Sequence, residues 1–135
     1  MSLKQDFFIP CILPNMNDII EAAKKGRRGY QPYALMKAEY ELLIRACIKK
    51  AKIKTVVGPV ELALCWREKH QRRDLDGITA GLKFICDALV QTGILNGDGW
   101  KQIRGLHHDF CVNPKAPGVY VTIIPCYRGE TIEPV

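Results

Sequence analysis

The stretch VELALCWREKHQRRDLDGITAGLKFICDALV, residues 60–90, changes its hydrophobic period once, and that change decides the fold. In its first part Val60, Leu62, Leu64 and Trp66 alternate with Glu61, Ala63, Cys65 and Arg67, the period of two that puts one set on each face of a strand. After the polar KHQRR, Ile78, Leu82, Ile85 and Leu89 recur at steps of four, three and four. That spacing predicts an amphipathic helix from about 76 to 92, ended by Gly93. A half-buried strand leading into a one-sided helix needs a sheet with helices laid on it.

The flanking sequence supplies the remaining elements. Residues 5–13, QDFFIPCIL, are apolar but interrupted by Pro10, which fits an edge strand because proline cannot donate to a ladder. Asn15, Asn17 and Asp18 are each able to cap a first helix over about 17–25. KKGRRGYQPY breaks that helix as a basic loop. From Tyr33 to Ile53 the residues Leu35, Met36, Leu42, Leu43, Ala46, Cys47 and Ala51 recur at helical intervals, predicting a long helix that buries them. NGDGW at 96–100 reads as a tight turn, and two strands follow, within 100–112 and 118–126, joined by NPKAPG as a hairpin. The order β-α-α-β-α-β-β defines a mixed α/β domain of the α+β class, a small mixed sheet packed with helices.

At 135 residues the chain is expected to form one domain over 1–135, with flexible ends at 1–3 and 128–135. It lacks an apolar run of the roughly 18 residues that a membrane span needs and a signal-peptide core, so a soluble, cytoplasmic, non-membrane protein is expected. The six cysteines show no C-x-x-C pair and no zinc-ligand spacing to a histidine, which makes them reduced core residues. His70, His107 and His108 read as structural or surface residues, since the adjacent pair would point to opposite faces of a strand. Trp66 and Trp100 read as core. The net charge of +6 is concentrated: residues 21–54 hold ten Lys or Arg against three Glu, a segment of +7. Such a segment is either a solvated helix face or a surface for a polyanion.

Asp74 and Asp76 stand at the entry to the third helix, where an extended chain would project both to one side and a hard divalent cation would relieve their repulsion. On the helix itself Asp76, Ala80, Lys83 and Asp87 form a polar stripe, and Lys83 and Asp87 can pair at i, i+4. Asp98 becomes a third acid if its turn folds back. Each also has an ordinary reading: Asp76 as a helix cap, Asp74 as an ion-pair partner of Arg72 or Arg73, Asp98 as a turn residue.

RRDLDG (72–77), LKFICDAL (82–89) and GILNGDGW (93–100), preceded by LPNMNDIIEAAKKGRRGYQPYALMK (13–37), resemble the RusA-like Holliday junction resolvases of phages and prophages. The resemblance runs from about residue 5 to 126: a D-x-D opening, a helical lysine, a D-A-L toward the helix end and a turn with an acid. It implies a homodimeric endonuclease that uses Mg²⁺ or Mn²⁺ to cut four-way DNA junctions symmetrically. It assigns metal binding and catalysis to Asp74, Asp76 and Asp98, catalysis to Lys83, and DNA contact to Arg72, Arg73, Arg27, Arg28 and Asn17. Two departures stand out. Gly77 replaces the asparagine usual after the second aspartate, and Lys83 follows Asp76 by seven residues where the shorter family form has four. Competing expectations are a branched-DNA-binding protein with a lost active site, an enzyme acting on another phosphoester, and a phage protein whose basic face meets an acidic partner.

Overall fold

The computed structural model describes residues 3–126 of the chain. Its elements are β1 (Gln5–Ile9), α1 (Met16–Lys24), α2 (Pro32–Lys50), β2 (Val60–Glu68), α3 (Leu75–Ile78), α4 (Leu82–Gln91), β3 (Ile103–Val112) and β4 (Gly118–Pro125), with a single 3-10 turn, Thr79–Gly81, linking α3 to α4. The four strands form one mixed sheet in the order β1-β4-β2-β3. The α+β class and the element order match the expectation from hydrophobic period. Among the described residues no helix is long and apolar enough to cross a membrane. Apart from Leu3, the ends expected to be flexible lie outside the described residues.

β2 behaves as its period demands. Val60, Leu62, Leu64 and Trp66 are at most 1% exposed, while the alternate residues are half-buried on the other face. The helices cover only the first face, so the second stays open, with the Arg67 guanidinium lying over the Phe8 and Tyr120 rings at 5.1 and 5.6 Å. β1 is an edge strand, and it ends at Ile9, just before the proline.

The expected hairpin between the last two strands does not form. β3 pairs with β2 in parallel, and β4 crosses to the far side of β2 to pair antiparallel with both β2 and β1. The reason is burial. Val119, Val121 and Ile123 are essentially buried and suit a central strand, whereas β3 carries Arg104, His107 and Asp109 and suits an edge. Asn113–Pro117 is still a turn, with the Ala116 N–H bonded to Asn113 O at 3.2 Å, but it carries the chain past a strand.

The long second helix also departs from expectation. It begins with Pro32 at its first turn and stops at Lys50, with Lys52 in a left-handed conformation, rather than running to Ile53. Its buried residues are Glu41, Ile44 and Ile48, while Leu35 and Leu42 are each 62% exposed and Leu43 38%. The stripe read from apolar spacing therefore faces mostly outward. The inward face is instead Glu41, Ile44 and Ile48, with Met36, Tyr40 and Cys47 packed partly against the core, and Glu41 accepts from Gln91 of α4 at 2.8 Å. Apolar periodicity scores both of these side chains as surface.

The helix foreseen from 76 to 92 starts one residue earlier and is interrupted. At Thr79–Gly81 it tightens into 3-10 geometry where it crosses Leu13 and Trp66. A Cβ on Gly81 would stand 3.0 Å from Leu13 Cβ and 3.2 Å from the Trp66 ring. A side chain at this position would require Leu13 and the Trp66 ring to give by a few tenths of an ångström.

Candidate active site

Asp74 is the N-cap residue of α3 and Asp76 lies inside its first turn, so the extended arrangement that would aim both carboxylates the same way is absent. Helix formation captures Asp76: its Oδ1 accepts the Gly77 N–H at 3.0 Å and its carbonyl accepts Thr79 Oγ1 at 2.9 Å. Asp74 makes no side-chain capping bond, and both acids are exposed. A cleft of about 310 Å³ beside Asp74 lies between the 68–75 segment and the end of β3.

Arg73, expected as a phosphate contact, is committed elsewhere. Its Nε and Nη2 donate to the two oxygens of the buried Glu68 at 2.8 and 3.2 Å, and Nη1 donates to Leu13 O at 3.0 Å. This fork ties the end of β2 to the strand-to-helix loop before α1. Asp74 accordingly has no pair with Arg73. Arg72 is exposed, as are Arg27, Arg28 and Asn17. Asn17 sits in the first turn of α1, behind a capping box in which Asn15 and Asp18 each accept the other's backbone N–H.

Lys83 projects from α4 with 60% of its side chain exposed and pairs with Asp87 at 3.2 Å, as the i, i+4 spacing foretold. The hydrogen bond to Asp87 and then that carboxylate's charge raise the Lys83 pKa, with a small opposing effect of burial and a further rise from Asp98. Asp98 also acts on Cys86, whose thiol is pushed up to about 12, chiefly by burial. The turn bearing Asp98 thus lies on the Lys83 side of α4.

Asp87 is shared. Its second oxygen faces Lys37 of α2 at 3.3 Å, and Lys37 reaches Glu41 at 3.9 Å. Glu41 Oε2 and Asp87 Oδ2 are buried without hydrogen-bond partners, so Lys37 serves them by charge alone. Lys37, Glu41 and Gln91 escaped the sequence reading because their connection crosses about 50 residues of chain. The one local signal was the Lys37–Glu41 spacing of four, in register with Ile44 and Ile48.

The seven-residue spacing from Asp76 to Lys83 has a geometric solution here. Four helical residues turn about 400°, and three residues of 3-10 helix add about one full turn, giving about 760°. Both totals leave the same remainder of about 40°. The extra turn Thr79–Gly81 advances Lys83 along the axis while keeping its face.

Carboxylate oxygens are the donor type that Mg²⁺ or Mn²⁺ takes. Among the described residues, however, no three His, Cys, Asp or Glu side chains are grouped so as to hold a metal ion. The charge of Asp98 is felt at Lys83 and Cys86, in the middle of the helical run, whereas Asp74 and Asp76 stand at its start.

The histidines follow expectation. His107 meets Glu61 at 3.4 Å on the open sheet face, and His108 points to the opposite face, where its Nδ1 accepts the Trp66 Nε1–H at 2.9 Å. Of the cysteines, only Cys86 is buried and Cys111 is exposed, so core placement holds unevenly. Trp66 is core, but Trp100 is 94% exposed and the expectation of burial fails there. No protein-family model matches this chain, and a search of curated proteins returns no match.

Proposed function

We propose that this chain is a metal-dependent endonuclease of branched DNA that cuts four-way junctions by phosphodiester hydrolysis, working as a homodimer with Mg²⁺ or Mn²⁺. One observation carries the reading: the exposed Lys83 lies on a helical run that opens with Asp74 and Asp76, and the Asp98 turn folds back to its side. Mg²⁺ commonly rests on one or two carboxylates and takes its other ligands from phosphate and water, so a pair of acids with DNA present is adequate chemistry. When bound, the cation supplies an activated water and neutralises charge on the phosphate. Lys83, kept protonated by Asp87, offers a fixed positive charge to a phosphate oxygen. Lys37 supports it indirectly, by holding Asp87 from the buried side. A junction presents two strands of matching polarity, and a two-fold dimer presents two equivalent sites.

A second reading, a protein that binds branched DNA without cutting it, is favoured by the dispersed carboxylates and by Gly77. A Cβ at Gly77 would meet only Asn15 Cβ, at 4.0 Å, so asparagine fits there. Incubation of a synthetic four-way junction with the protein and either metal separates the readings. Nuclease action yields paired, symmetric nicks that Asp74→Asn abolishes while junction binding persists. Binding without cutting, with cutting gained in Gly77→Asn, assigns the wild-type chain to the second reading.

A further inference from the structure

Trp66 and Trp100 differ as much as two tryptophans can: one is 1% exposed, the other 94%. Burying an aromatic ring of this size is among the larger gains a single side chain makes on folding, and Trp100 forgoes it. Nor does the indole hang from a loose loop. Gln102 and Ile103 donate their N–H groups to Gly99 O at 3.1 and 3.0 Å, and the Gln102 side chain accepts the Gly99 N–H at 3.2 Å. The same amide fills the space over Gly97, where a Cβ would meet it at 3.1 Å. The backbone before and after Trp100 is pinned, and the ring is presented outward.

Its setting is cationic. Lys101 follows it directly, Arg104 is the second residue of β3, four residues after Trp100, and both are exposed. Two residues before it stands Asp98, on the side of the exposed Lys83. An exposed ring followed in the chain by exposed cations can take a nucleobase on its face while the neighbouring charges hold the phosphates. An apolar protein partner would gain nothing from those cations.

We infer that Trp100 is a stacking platform for an unpaired nucleobase, one displaced or terminal in DNA, beside the Asp98–Lys83 end of the proposed active site. The inference rests on the DNA reading above and adds a preference to it. Closed duplex hides its base faces within the stack, so single strands and branch points engage Trp100 and intact duplex does not.

Trp66 is buried, so the solvent-exposed, acrylamide-accessible part of the intrinsic fluorescence belongs to Trp100. The protein is titrated in EDTA, where no metal supports cutting, with oligothymidine, with a four-way junction and with a duplex closed at both ends. Anisotropy of labelled DNA reports binding, and Trp100 emission reports stacking. The expected result is that oligothymidine and the junction quench Trp100 and shield it from acrylamide. Trp100→Ala then weakens both by roughly 5- to 100-fold, leaves closed duplex unchanged, and Trp100→Phe restores most of the loss. DNA bound with Trp100 still open to acrylamide, or bound equally well by Trp100→Ala, overturns the platform and leaves the DNA reading standing. Absence of binding to any of the three DNAs overturns both. A change in self-association in Trp100→Ala, seen by sedimentation without change in DNA affinity, assigns the ring to a protein contact and overturns the platform. Circular dichroism verifies that the variants fold.

Discussion

Two adjacent arginines that look alike in sequence have separate duties. Arg73 spends its donors on Glu68 and Leu13 O, and Arg72 stays in solvent. Removing one partner of a largely buried pair leaves the other charge uncompensated, so Arg73→Ala is expected to cost about 3 kcal/mol in denaturant unfolding. Arg72→Ala is expected to shift stability by less than about 0.5 kcal/mol and to weaken junction binding with a shallower salt dependence. Equal stability losses in the two variants would contradict this division. Sequence alone did not divide them: Glu68 stands within five residues of both arginines, and the carbonyl that also accepts from Arg73 is 60 residues away. The cap of α1 was legible as three candidates, Asn15, Asn17 and Asp18, because all lie within one turn; the structure takes Asn15 and pairs it with Asp18.

Elements were legible where one physical term decided them. β2 alternates because one of its faces is apolar, and its assignment from sequence needed nothing else. α2 was oriented wrongly because its seam with α4 includes Glu41 and Gln91, a polar pair that no apolar period can announce. The order of β3 and β4 was misread because a short turn was taken for a hairpin, while relative burial decided which strand took the centre. β3 also carries a pH-sensitive contact. His108 stacks between Trp66 and Phe110 and accepts from the Trp66 indole through Nδ1, which requires that nitrogen to be unprotonated. Burial, with a smaller push from His107, lowers its pKa. The unfolded chain therefore takes up this proton first on acidification, and the stability from neutral His108 is present above about pH 6.5 and lost as pH falls through the lowered value. Thermal unfolding from about pH 7 to about pH 5 should show the gap between wild type and His108→Gln narrowing as pH falls. A constant gap would mean that His108 does not titrate differently on folding.

At the scale of the molecule the basic charge of residues 21–54 is split rather than continuous. Lys37 is drawn inward to Asp87 and Glu41, and Arg45 has its Nε buried. The exposed cations gather at the two ends of α2: Lys24, Lys25, Arg27 and Arg28 before it, Lys49, Lys50, Lys52 and Lys54 at and beyond its C-terminus. Nineteen helical residues separate these ends by about 28 Å. Between them Leu35 and Leu42, seven residues apart, leave an apolar strip in solvent. Apolar strips bounded by charge mark contacts between chains, and a second copy packed along α2 would set four basic clusters around one axis. Leu42→Glu places a charge in that strip at a site 62% exposed, so the monomer fold should tolerate it. If α2 is the dimer seam, wild type sediments as a dimer and Leu42→Glu as a monomer at the same concentration. If the proposed nuclease function holds, each subunit would carry one site, and Leu42→Glu should leave junctions nicked on a single strand where a wild-type dimer would make paired cuts. Paired cuts from a dimeric Leu42→Glu would move the seam elsewhere, to the open sheet face around Arg67, Phe8 and Tyr120, the other broad surface that the helices leave uncovered.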